Sequence, residues 1–127
     1  MIKQKERRKH KRFRADDGAF AVLRRPWPHP TTLGRIEDIN MYGVAFDYTA
    51  GEEPPHRSAE LEILWNDCSF RLKKVPSKTV SDSVTAIRGR FSSLEMRRRS
   101  MRFRKLTPYQ KSQLQYFINN YTTFYRP

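Results

Sequence analysis

At 127 residues the chain has room for one domain with a modest core and not comfortably for two. Lys and Arg outnumber Asp and Glu by 26 to 13, a formal net charge of +13, which turns the search for partners toward polyanions. The single cysteine, Cys68, excludes an intramolecular disulfide, and no apolar run approaches the ~18 residues of a membrane-spanning helix, so a soluble cytoplasmic chain is expected.

Residues 1–14 carry eight Lys or Arg against one Glu. Unpaired charges are too costly to desolvate, so this stretch is expected to be a flexible basic arm. Asp16-Asp17-Gly18 is a turn signal, and Ala19, Phe20, Ala21, Val22 and Leu23 read as a first buried strand. That strand ends where Pro26, Pro28 and Pro30 forbid both helix and sheet interior. A second strand over 32–39 runs into a turn at 40–43, a third follows over 44–48, and 51–55 is a loop.

Alternation then becomes clean. Ala59, Leu61, Ile63 and Trp65 share one face of a strand, with Glu60 and Glu62 on the other. Asn66-Asp67 breaks it, after which Cys68, Phe70 and Leu72 alternate with Ser69, Arg71 and Lys73, so Cys68 is expected to be a small buried apolar residue. Two more strands are expected over 83–91 and 97–105. The period changes at Thr107, an N-cap followed by Pro108 at the first helical position and Gln110 three after the cap. Leu114, Phe117, Ile118 and Tyr121 then recur at helical spacing, predicting an amphipathic helix over 107–123. The expected architecture is mainly β: one small antiparallel barrel over 15–127, lidded by a C-terminal helix.

Two constellations carry chemistry. Arg8 and Arg12, four apart within Glu6-Arg7-Arg8-Lys9-His10-Lys11-Arg12-Phe13, offer planar guanidinium forks that suit phosphate and stack on bases. Asp38-Ile39-Asn40-Met41-Tyr42-Gly43 is a strand end whose carboxylate can accept from guanine N1 and N2, closed by a glycine able to take positive φ. Taken singly, a solvated tail and an ordinary turn account for them.

In this order and separation the two resemble the PilZ domain family, whose pattern is RxxxR before the first strand and D/N-x-S-x-x-G between the second and third. The closing run from Met101 through Pro108 also resembles the family's end, so the likeness spans nearly the whole chain. It departs at Asn40, where the family usually has Ser; Asn is bulkier but still donates and accepts.

The resemblance implies a split-barrel fold and a bacterial receptor for the second messenger cyclic di-GMP. Arg8 and Arg12 would clamp phosphates and stack on guanines, with Arg7 auxiliary. Asp38 would read a guanine edge, Asn40 would support that contact, and Gly43 would let backbone approach closely. Binding would fold the arm over the barrel and change the surface offered to a downstream protein, with no chemistry done on the nucleotide. The chain would act as monomer or homodimer and need no cofactor or metal.

Two other classes compete. Arg88, Arg90, Arg97-Arg98-Arg99, Arg102 and Arg104 form a second basic cluster that suits a nucleic-acid-binding barrel with aromatic stacking. A ligand-independent interaction module could use Tyr109, Tyr116, Phe124 and Tyr125. An enzyme is not expected: His10, His29 and His56 lie in the tail and in proline-flanked loops, and no nucleophile elbow or phosphate loop is present.

Overall fold

The computed structural model describes residues 11–24, 31–50, 58–87 and 95–124. Its elements are β1 (Phe13–Ala15), β2 (Ala19–Arg24), β3 (Thr32–Ile39), β4 (Gly43–Ala50), β5 (Ser58–Trp65), β6 (Arg71–Ile87), β7 (Glu95–Phe103), α1 (Pro108–Tyr121) and β8 (Thr122–Phe124). The sheet runs β2-β5-β6-β7-β4-β3, and β2 pairs back onto β3, which closes a six-stranded barrel with antiparallel neighbours throughout. Closure removes the exposed edges an open sheet would leave. The edge of β3 away from β4 serves two partners: its first half closes the barrel with β2, and its end pairs with β1, which in turn pairs with β8.

Side chains of period two fill the interior. Ala19, Ala21 and Leu23 of β2, Leu61 and Ile63 of β5, and Val44, Phe46 and Tyr48 of β4 point inward and are buried. The helix seals one end. Its Leu114, Phe117 and Ile118 are buried against Phe70 and the strand ends, and burial of each such side chain stabilises the fold by about 1.5–3 kcal/mol. Thr107 Oγ1 accepts from Gln110 N while Gln110 Oε1 accepts from Thr107 N, a reciprocal cap at 3.0 Å each. Gln110 Nε2 also donates to the carbonyls of Lys73 and Lys74, tying the first turn to β6.

The mainly β fold with its closing helix is as the patterning predicts, but three expectations are corrected. Phe13 and Arg14, assigned above to the basic arm, belong to β1, because Phe13 and Ala15 pack on the core and anchor the chain there. The strands expected on either side of residue 78 are one strand, β6, of 17 residues. It survives Pro76 because the Pro76 carbonyl accepts from Arg104 N just beyond the end of β7, so the missing N–H faces a position where the ladder has ended. Cys68 is exposed, not buried: it occupies the β5–β6 turn at φ 63°, with Cys68 N donating to Trp65 O and Ser69 N to Asp67 Oδ1. Residues 25–30 and 51–57, and with them His29 and His56, lie outside the described residues.

Candidate functional site

β1 lies antiparallel to the end of β3, with Phe13 opposite Ile39 and Arg14 opposite Asp38. This register brings Arg12, the residue before β1, alongside Asp38. Arg12 Nη2 donates to Asp38 Oδ2 at 2.5 Å, and the two side chains are 31% and 20% exposed. The distant arginine of the first motif and the carboxylate of the second therefore meet. Arg7 and Arg8 lie outside the described residues.

A bulge aims Asp38. Ile36 opposes Phe46 and Asp38 opposes Ala45, so Glu37 is an extra residue in β3. Ile36 and Ile39 are both buried although three apart, and the extra residue is what lets both point inward while Asp38 turns to the outer face.

The turn after β3 is built by Asn40. Its Oδ1 accepts from Tyr42 N at 2.7 Å and Gly43 N at 3.0 Å, while its own N donates to Gly43 O. The side-chain carbonyl is thus spent on the turn, and the two Nδ2 protons have no partner among the described residues. Gly43 does not take positive φ, contrary to the sequence expectation; the positive-φ glycine among the described residues is Gly18. Gly43 is required because β7 passes too close: a Cβ there would sit 2.4 Å from the carbonyl oxygen of Met101.

No protein-family profile and no curated protein matches the sequence. Solved structures do. The PilZ domain of YcgR from Escherichia coli with c-di-GMP is similar at TM-score 0.66 and 18% identity, over 91% of both chains. The structure of Escherichia coli YcgR in complex with c-di-GMP is similar at TM-score 0.63 and 20% identity, over 89% of this chain and 45% of that one. The fold is that of a PilZ domain.

On this PilZ barrel the outer face beside Asp38 is ordered in rows set by strand register. Asp38, Ala45, Ser100 and Ser81 form one row across β3, β4, β7 and β6. Arg35, Asp47, Arg98 and Ser83 form the next. Arg98 donates to Asp47 from Nε at 2.6 Å and Nη2 at 3.0 Å, and those bonds hold the Asp47 carboxyl below its ordinary value. Burial, and then the neighbouring Asp47 carboxylate, push Glu37 up.

The second basic cluster divides between the two sides of the wall. Arg98 and Arg102 project outward, whereas Arg97 and Arg99 point into the barrel. Arg99 is wholly buried; its Nη2 lies 2.9 Å from Asp82 Oδ2 and donates to Tyr48 Oη at 3.2 Å, while Arg97 Nε donates to Asp82 Oδ1 at 2.8 Å. Two of the three arginines of the triplet are thus turned away from a nucleic acid on the outer wall, and the aromatics Phe46, Tyr48, Phe70, Phe103 and Phe117 are buried in the core. The sequence sets Arg102 and Arg104 on the face opposite Met101 and Phe103, but sequence reasoning missed Arg98 and Ser100 as outer-face neighbours of Asp38. Their alternation with buried Arg99, Met101 and Phe103 would have signalled it, had an arginine been admitted as an inward residue.

Among the described residues no group of His, Cys, Asp and Glu is placed to hold a metal ion, and no helix is long and apolar enough to cross a membrane.

Proposed function

We propose that this protein is a cyclic di-GMP receptor of the PilZ type. The observation that supports the reading is the Arg12–Asp38 contact, which joins one residue of each motif across 26 positions of sequence. Asp38 grips one amino group of Arg12 and so orients the guanidinium, leaving its other donors for a phosphate or for stacking on guanine. Asp38 retains lone pairs for guanine N1–H and N2–H. Asn40, its carbonyl committed to the turn, presents Nδ2 donors where a serine would present a hydroxyl, so the departure from the family pattern preserves a donor at the site. Arg8 is assigned the second clamp and Arg7 an auxiliary role. Ligand-driven ordering of 1–10 over the wall is the signal passed to a downstream protein. The protein binds the nucleotide and performs no reaction on it.

Calorimetric titration with cyclic di-GMP tests this. Saturable binding is expected for the wild-type chain, and Arg8→Ala, Arg12→Ala and Asp38→Ala are each expected to weaken it at least tenfold, as loss of charge-assisted hydrogen bonds requires. The thermal midpoint should fall little, because the Arg12–Asp38 pair is partly solvated. Absence of binding heat at tens of micromolar nucleotide would sink the reading.

A further inference from the structure

One row of the outer wall is electrostatically unfavourable as it stands. Lys78 of β6 and Arg102 of β7 are directly opposite in register. Both are exposed, and their chain neighbours Ser77, Met101 and Phe103 are buried, so the two cations share the outer face. Like charges directly opposite across a ladder repel. Several outer cations near the site have acidic partners: Arg12 has Asp38, Arg98 has Asp47 and Glu37, and Arg35 has Glu37 and Asp17. Lys78 and Arg102 have none among the described residues. On the far side of Arg102 the row ends in Gly43, which has no side chain to fill the space between Arg102 and the Asn40 turn.

We propose that Lys78 and Arg102 form a second anion subsite, which takes a phosphodiester group of the nucleotide. The assignment rests on the receptor reading above and extends it to residues outside both motifs. By strand spacing and rise, Asp38 and Arg102 stand roughly 12 Å apart between Cα atoms, with the small side chains of Ala45 and Ser100 between them. A flat ligand lying over that floor meets Arg12 and Asp38 at one side and the Lys78–Arg102 pair at the other. A bridging phosphate also neutralises the repulsion that the empty row carries.

The test titrates isotopically labelled wild-type chain and a Lys78→Gln/Arg102→Gln double variant with cyclic di-GMP and, separately, with inorganic phosphate. Both ligands are expected to shift Lys78 and Arg102 resonances in the wild type, phosphate only at millimolar concentration. The double variant should bind the dinucleotide about tenfold more weakly and with a shallower salt dependence. Its thermal midpoint should not fall, since a like-charge pair has been removed. Unchanged dinucleotide affinity in the double variant overturns the subsite and leaves the receptor reading intact. Failure of the wild type to bind the dinucleotide, with Lys78 and Arg102 still shifted by phosphate, overturns the receptor reading and the nucleotide as occupant. Phosphate shifts spread evenly over all exposed basic residues overturn the subsite as a built feature.

Discussion

Gly43, proposed above as a nucleotide-binding position, has a packing role of its own. The Met101 carbonyl lies where its Cβ would be, and that obstacle is backbone, which cannot rotate away. Gly43→Ala is therefore expected to cost about 1–3 kcal/mol by urea denaturation, as overpacking does elsewhere. Nucleotide affinity should drop with it, because the Asn40 turn and the Gly43–Arg102 register move together. An unchanged denaturation midpoint would show that β7 yields and that the glycine is kept for the ligand alone. The residue type was legible in the sequence as a turn closer. Its reason was not, since Met101 is 58 positions away in the chain and its carbonyl enters the argument only when β4 and β7 pair.

At the scale of elements, α1 is the part most fully written in local sequence. Thr107, Pro108 and Gln110 specify its start without reference to anything distant, and the cap forms as expected. Thr107→Ala should lose about 1 kcal/mol in a urea melt, the usual worth of an N-cap, with nucleotide binding untouched. β6 is the opposite case. Its polar, proline-containing sequence reads as two strands and a break, yet it runs unbroken because β5 pairs with its first part and β7 with the rest. Bulges between Thr79 and Ser81 and between Val84 and Ala86 bend it around the wall. β3 carries its own bulge at Glu37, without which period two would send Asp38 inward and leave Arg12 with no partner there.

Over the whole molecule, the two ends of the barrel are closed by different means. The helix end is apolar, with Phe70, Phe117 and Tyr121 in mutual ring contact. Toward the other end the interior holds Tyr48, Asp82, Arg97 and Arg99, and Arg99 lies 5.1 Å from the Tyr48 ring centroid. Burial alone would raise the Asp82 carboxyl, but hydrogen bonds from Tyr48, Arg97 and Arg99 outweigh it and hold the group below its ordinary 3.8. A depressed carboxyl stabilises the fold above its unfolded value, and that contribution is lost as the pH falls through the folded one. Glu62, almost wholly buried between Arg24 and Arg71, is likewise depressed, from 4.5. The thermal midpoint should accordingly decline as the pH drops below about 4. Asp82→Asn should cost about 3–5 kcal/mol at neutral pH by stranding a buried arginine, and should flatten the acid limb. A variant as stable as wild type at pH 7 would mean that the arginines reach solvent.

Sequence alone determined what depends on neighbours in the chain: the mainly β character from period two, the helix and its cap, the Asn40 turn, and the two motifs whose pairing suggested a nucleotide. Tertiary structure decided every question of direction. Which arginines of 97–99 face inward, whether Asp38 faces outward, and whether Phe13 anchors β1 all depend on bulges and register, and these are set by contacts between residues tens of positions apart. A charged side chain is buried only where distant partners repay its desolvation, and no local pattern can announce that they will be there.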